Sequence, residues 1–401
     1  MDDKEDEWVK VLEQEPARTE KAVKEQEAAL NGLGELYKGR KDAQRLGGLV
    51  RESRHVMAHF PKAKTAKVIR SLLDCLSTTA GTTEVQIGVT RECIEWAVQE
   101  KRGFLRLNLQ TRLVALYLEK PSYAEALALI STLLKELKRL DDKVVLVEVQ
   151  LLESKAYHAL RNLPKSKAAL TSARTSANAV YCPPLLQASL DLQSGILHAD
   201  DKDFQTAHSY FVEALDGYSS HQDPRAVSAL KYMLLSKIML NLTDDTQSIL
   251  GNKMAVKYAG RDIDAMAAVA RAYENRSLSE FETALENFKQ ELRTDPIIRT
   301  HFTALYDSLL EQNLVRVIEP FSKVEVAHVA EVVGLSLDQV EGKLSQMILD
   351  NVFYGVIDQG AGCLIVFDKP KEDKTYDAAL ETIKHLSTVV DLLYEKASTA
   401  A

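Results

Sequence analysis

The sequence predicts a mostly α fold: an α-solenoid of TPR-like helix pairs, followed by a C-terminal winged helix and one terminal helix. Three observations carry that prediction. Apolar residues recur at helical spacing through most of the 401 residues, while aromatics make up only 6% and prolines number 10, a profile that suits packed helices rather than a β-sandwich. A unit of about 40 residues repeats through the middle of the chain. Past Pro320 the pattern changes to a short helix, a second helix and two apolar strands around a glycine turn.

The N-terminal third is helical but blurred, with breaks expected at Asn31-Gly32, Gly47-Gly48 and Gly81. The repeat is clearer beyond it. PSYAEALALISTLLKEL starts at Pro121, PKSKAALTSARTSANAV at Pro164, DFQTAHSYFVEALDGY at Asp203 and LSEFETALENFKQEL at Leu278. Each places a small residue near the start of a helix: Ala126, Ala168, Ala207 and Ala284, separated by 42, 39 and 77 positions. A weaker copy, DDTQSILGNKMAV, fills the last interval. One helix pair cannot bury its own apolar stripe, so neighbours must stack. The small residue lets two helices approach closely. An irregular helical bundle is the alternative. The expected organisation is a helical-repeat solenoid over 1–200, further helices over 201–320, a winged helix over 321–368 and a terminal helix over 375–401.

In the winged helix, Val324 to Val333 is read as a short helix that stops at Gly334, the residue type favoured after a helix end. Ser336 and Gln339 have capping-box spacing, and Leu335 and Val340 have staple spacing. The helix that follows puts Val340, Leu344, Met347 and Ile348 on one face. Strands are expected at Tyr354–Asp358 and Cys363–Phe367, joined by Gln359-Gly360-Ala361-Gly362.

Helix plus wing is a DNA-reading shape, so a nucleic-acid-binding winged helix is the alternative function. The charges argue against it. From Ser336 to Asp350 the charged residues are Asp338, Glu341, Lys343 and Asp350, and the wing adds Asp358 and no cation, so phosphates would be repelled. The wing strands are apolar on nearly every residue. Their faces need cover, or their free edge pairs with another chain. Tyr354, Val356, Cys363 and Ile365 are therefore candidate protein-interface residues.

Beyond the linker Asp368 to Lys374, Tyr376, Ile383, Val390 and Ala397 fall seven apart, and Ala379, Leu386 and Leu393 do so at an offset of three. That is an a/d seam, the mark of a helix that packs along other helices. Ile383, Leu386, Val390 and Leu393 are its candidate contacts. The alternative is that it folds back on its own domain.

Composition bounds the function. With 46% hydrophobic and 27% charged residues the chain can bury a core, and a net charge of −8 disfavours a polyanion as partner. Cys75, Cys93, Cys182 and Cys363 are far apart and form no C-x-x-C pair, so no zinc site or disulfide framework is expected, and reduced thiols suit the cytoplasm or nucleus. The N-terminus MDDKEDEW is acidic where a signal peptide is basic, and no apolar run approaches the ~20 residues that span a bilayer. No G-x-S-x-G elbow or P-loop occurs. Gly32-Leu33-Gly34 and Gly360-Ala361-Gly362 read as turns, not phosphate cradles. His55 and His59 are four apart but lack the glutamate of H-E-x-x-H and a third ligand. No catalytic residue, cofactor or metal, and neither a nucleic-acid nor a membrane partner, is expected.

A helical solenoid that ends in a winged helix resembles the PCI proteins, which scaffold the proteasome lid, the signalosome and an initiation-factor complex. TRLVALYLEKPSYAEALAL, KVVLVEVQLLESKAYHAL, LPKSKAALTSARTSANAVYCPP, LDLQSGILHA, LKYMLLSKIML, GRDIDAM, EQNLVRVIEP, VEGKLSQMILD, DQGAGCLIVF and DKTYDAALETI look like the non-ATPase lid subunits of the 26S proteasome, from about Leu36 to about Lys396. Asn351-Val352 departs from that pattern, where lysines are expected. The resemblance implies that 201–320 is the helical part of a PCI domain and 321–368 its winged helix. It implies a non-catalytic scaffold that clamps the lid in place for ubiquitin-dependent protein degradation. Its partners would be other PCI lid subunits, the lid deubiquitinase module, the proteasomal ATPase ring and a core-particle α subunit. A PCI subunit of the signalosome is the neighbouring alternative.

Overall fold

The computed structural model describes residues 20–57, 60–77, 83–367 and 374–400, together with Trp8, Val11 and Leu12. The chain forms two compact units, Met1–Ile263 and Asp264–Ala401.

The first unit is a stack of antiparallel helices: α1 (Glu20–Arg40), α2 (Ala43–Val56), α3 (Lys62–Ser77), α4 (Thr83–Gln99), α5 (Gly103–Glu119), α6 (Tyr123–Leu140), α7 (Lys143–Ala159), α8 (Leu163–Asn178), α9 (Pro184–Asp200), α10 (Phe204–Ser220), α11 (Ala226–Met239), α12 (Thr243–Leu250) and α13 (Lys253–Lys257). Consecutive helices pack as hairpins, and α5 also touches α7, and α7 touches α9. The alternate helices α5, α7 and α9 therefore form one layer, and Arg112 of α5 ties α3 to it through Asp74 and Leu73 O. The apolar core is a series of clusters shared by neighbouring hairpins: one from Val23 to Leu109, one from Ile87 to Val149, one from Val147 to Leu197.

The connections explain why the hairpins are regular. Lys41, Lys101, Asp141, Arg161, Lys202, Gln222 and Asn241 each adopt positive φ, between 53° and 65°. In several of these turns the following N–H reaches back five residues: Arg102 to Ala97 O at 2.9 Å, Asn162 to Tyr157 O at 2.9 Å, Asp203 to His198 O at 3.0 Å, Leu242 to Lys237 O at 3.1 Å. This is the Schellman closure of a helix C-terminus. The next side chain then starts a new helix: Asp142, Asn162 and Asp203 accept from the N–H groups of Val145, Lys165 and Thr206. Two residues end one helix and cap the next, with no glycine.

The repeat register differs from expectation at one copy. Ala126 and Ala207 are fully buried, but Ala168 is exposed; the buried residue is Ser166. Its hydroxyl donates to Ser154 O at 2.8 Å and lies 3.0 Å from Ser154 Oγ, so α8 crosses α7 at a serine pair. Counted four residues past each N-cap, the contact positions are Ala126, Ser166, Ala207 and Thr246, all buried. In α15 the same position is Phe281, with Ala284 one turn on.

The expected breaks at Asn31-Gly32 and Gly47-Gly48 lie inside α1 and α2, and Gly32-Leu33-Gly34 is helical, not a turn. A Cβ at Gly32 would stand 2.8 Å from the Trp8 ring, so that glycine serves close packing. Gly81 lies outside the described residues.

In the second unit, α14 (Arg261–Glu274) spans the division, followed by α15 (Leu278–Asn287), α16 (Lys289–Thr294) and α17 (Pro296–Ile318). Phe281 sits edge-on to Phe302, 6.2 Å between ring centres. The winged helix comprises β1 (Lys323–Glu325), α18 (Val326–Val333), α19 (Leu337–Leu349), β2 (Tyr354–Asp358) and β3 (Cys363–Phe367). The expected helix start at Val324 is a strand residue instead, since β1 pairs with β3. Gly334 ends α18 with φ 78°. Ser336 is the N-cap of α19, but its side chain makes no cap hydrogen bond, so the expected capping box is not formed. The chain ends in α20 (Lys374–Ala400).

Candidate protein-interaction surfaces

The wing is an antiparallel sheet of order β1-β3-β2. β3, which carries Cys363 and Ile365, is the central strand. Its main chain is paired on both sides and offers no edge. The free edge near the turn belongs to β2. The N–H of Val366 donates to Ser322 O, and that of Val326 to Gly362 O, so the even-numbered residues of β3 face β1. By antiparallel alternation the odd-numbered ones face β2, and Val356, opposite Ile365, points its main chain inward. The outward amides on β2 are those of Gly355 and Ile357.

Side chains tell a second story. Tyr354 lies opposite Phe367 and Val356 opposite Ile365, so all four share one face of the sheet. Val356 is 52% exposed, as is Phe367, while Tyr354 and Ile365 are half-buried and Cys363 is buried. The other face presents Leu364 and Val324 to the wing's own core, together with Val329, Val340, Leu344 and Met347, all buried. One face of the wing is covered internally and the other is an open apolar patch. Phe367 belongs to that patch and was missed, because its role depends on strand register. The turn is held firmly: Asp358 Oδ1 accepts from the N–H groups of Gly360 and Ala361, and Gln359 Nε2 donates to Glu341 at 2.6 Å.

The second helix of the winged motif offers no phosphate contact. Its one cation, Lys343, is paired with Glu311 at 2.9 Å. Asn351, in the departure Asn351-Val352, has φ 56°, a conformation asparagine tolerates better than lysine.

α20 is the largest candidate surface. Every described side chain from Thr375 to Ser398 is exposed. Ile383, Leu386, Val390 and Leu393 are 62%, 66%, 57% and 61% exposed. Tyr376, Leu380, Val389, Leu392 and Tyr394 are exposed as well. At 100° per residue these apolar groups cover about two thirds of the circumference, far wider than a two-helix seam. The a/d pattern found the middle of this arc; counting the flanking e and g positions would have found Leu380, Val389 and Tyr394, while Leu392 falls at c. The linker 368–373 lies outside the described residues.

Among the described residues no group of His, Cys, Asp and Glu is placed to hold a metal ion, and no helix is long and apolar enough to cross a membrane. His59 and the side chain of His55 lie outside the described residues. The four cysteines are free thiols.

Three family models match separate stretches of the chain. A family model described as the 26S proteasome regulatory subunit RPN6 N-terminal domain matches residues 2–120. The PCI domain model matches 285–368. A model of the RPN6 C-terminal helix domain matches 372–398, which is α20. The chain is 58% identical to a probable 26S proteasome regulatory subunit rpn6 of Schizosaccharomyces pombe, covering 98% of this chain and 94% of the relative. It is 52% identical to a 26S proteasome non-ATPase regulatory subunit 11 homolog of Arabidopsis thaliana, covering 97% and 92%. It is 51% identical to the 26S proteasome regulatory subunit RPN6 of Saccharomyces cerevisiae, covering 94% and 88%. With an N-terminal solenoid, a PCI winged helix and a free terminal helix all matched in order, the chain belongs to the Rpn6 family of 26S proteasome regulatory subunits, also named non-ATPase subunit 11.

Proposed function

We propose that this chain is a non-catalytic scaffold subunit of the lid of the proteasome regulatory particle, and that three separate surfaces do its work. The exposed apolar arc of α20 carries the reading. A helix with about two thirds of its circumference apolar and, among the described residues, no cover from its own chain is built to enter a bundle of partner helices. Burial of each such side chain contributes roughly 1.5–3 kcal/mol, less the cost of ordering. The open β2 edge and the patch around Val356 and Phe367 suit the winged helix of another PCI lid subunit. The solenoid is longer than a PCI core requires, so its first helices reach beyond the lid to the ATPase ring and a core-particle α subunit. The deubiquitinase module docks on the lid so assembled. The working sites are the cytoplasm and nucleus, where proteins are degraded after ubiquitin tagging.

Two truncations test this. Cells whose only copy lacks 375–401 should yield lids missing subunits by mass spectrometry; complete lids would overturn the bundle role. A chain lacking 1–120 should still join the lid but fail to hold it to the particle below. Recovery of the whole particle with that chain would refute the clamp.

A further inference from the structure

The layer formed by α3, α5, α7 and α9 is lined along its exposed side by two adjoining cavities. One, of about 520 Å³, draws on all four helices and on Arg225. The other, of about 800 Å³, lies beside α3 and shares Arg70 and Asp74 with the first. Together they make a groove across successive inner helices. Its charge is opposite to that of the chain. The groove presents Lys38, Lys67, Arg70, Arg112, Lys155 and Arg225 against only Asp74 and Glu148, in a protein of net charge −8. Arg112 is committed to Asp74 and Arg225 to Asp223. Lys155 is not: among the described residues it has no hydrogen-bond or ion-pair partner, and the charge acting on it is Arg225, of the same sign. Burial, and then Arg225, pull its pKa down. Burial, and then Asp142, push the Glu148 carboxyl up, against the pull of Arg70.

We propose that this groove binds an extended acidic peptide segment of a partner protein, with carboxylates at Lys155 and Arg70 and apolar side chains against Leu73, Leu109, Leu151 and Leu186. Arg70 on α3 and Lys155 on α7 are groove cations outside these ion pairs, although Arg70 also acts on Glu148 of α7; six residues of extended chain, about 20 Å long, are enough to engage both. A peptide fits the walls better than a nucleic acid. The lining carries leucines and no aromatic ring, whereas single strands are held by stacking on aromatics. Lys155 marks the site because it is half-buried and has no carboxylate beside it in the free protein, and an incoming carboxylate supplies one.

The full chain is titrated by fluorescence anisotropy against a dye-labelled, end-capped hexapeptide of alternating leucine and glutamate. The leucine–lysine hexapeptide and an oligouridine hexamer carry the same dye as comparisons. The acidic peptide should bind, and Lys155→Met should weaken it roughly tenfold or more, without lowering the melting temperature, since the variant removes an unpaired charge. Arg70→Gln, at an exposed position, should weaken binding several-fold and carries the test alone should Lys155→Met unfold the chain. Absence of binding, equal binding of the lysine peptide, tighter binding of oligouridine, or affinity unchanged in a folded variant would each overturn the proposal.

Discussion

α10 and α20 are written in the same pattern and have opposite fates. In α10, Ala207, Phe211, Ala214 and Tyr218 recur at helical spacing and are all buried. In α20, Ile383, Leu386, Val390 and Leu393 recur at the same spacing and are all exposed. The difference lies in what adjoins them. α10 is flanked in sequence by α9 and α11, which pack on both its sides. α20 follows a linker, and among the described residues its side chains are exposed rather than packed on a neighbour. Periodicity thus says that a face will be buried; the supply of neighbours decides whether folding or assembly does it. Since short helices gain most of their stability from packing, α20 should gain part of its order on joining other subunits.

The largest effect comes from charging the free seam. Ile383→Asp with Val390→Asp should abolish incorporation into the lid, because an unpaired charge at a buried contact costs several kcal/mol. The isolated chain should keep its circular dichroism and melting temperature. A clear drop in melting temperature would mean that α20 packs on its own domain, and the contrast with α10 would disappear.

The converse change is Phe211→Ala. It should destabilise the isolated chain by about 3–5 kcal/mol, because Phe211 lies against Gly195 with no room for even a Cβ there, 2.5 Å away. Calorimetry of the isolated chain checks it. A change below about 1 kcal/mol would show that this face is not packed as described.

The wing sharpens the comparison within one sheet. Ile357→Pro removes an outward amide and should weaken subunit pairing while leaving the sheet intact. Val356→Pro removes an inward one and should destabilise the wing itself, by about 1–3 kcal/mol. Thermal melts paired with incorporation assays separate the two. If the variants behave alike, the free edge does not pair.

The smallest effect lies in the turns. Arg161→Gly or Lys101→Gly relieves a positive φ and should stabilise the first unit by about 1 kcal/mol, read as a small rise in melting temperature. An equal fall would mean that the side chain contributes more than the strain costs.

Much of the fold was legible because its signals are local. The repeat, the stop at Gly334, the two wing strands and the seam through Ile383 and Leu393 each occupy one stretch of sequence. The errors share a cause. Ala168 looked like the contact instead of Ser166 because the partner of Ser166, Ser154, lies on another helix. Gly32 looked like a break because Trp8, which fills the space beside it, is remote. β1 is only three residues long, and its pairing with β3 makes Cys363 and Ile365 central. The turns at Lys101 and Arg161 carry no glycine to announce them. The cations of the groove are spread over Arg70, Arg112 and Lys155, and each alone reads as a solvated helix charge. Stacking alone brings them together.

The serial core of the first unit has a mechanical consequence. Among the described residues the clusters follow one another along the solenoid, so a pull along its length loads the interface between one hairpin and the next rather than the whole core. Such a body yields in steps. Each released hairpin of about 40 residues pays out roughly 140 Å of chain, and a force–extension trace should show a ladder of similar peaks instead of one rupture. A strut built this way absorbs strain like a spring and recovers hairpin by hairpin when the load falls.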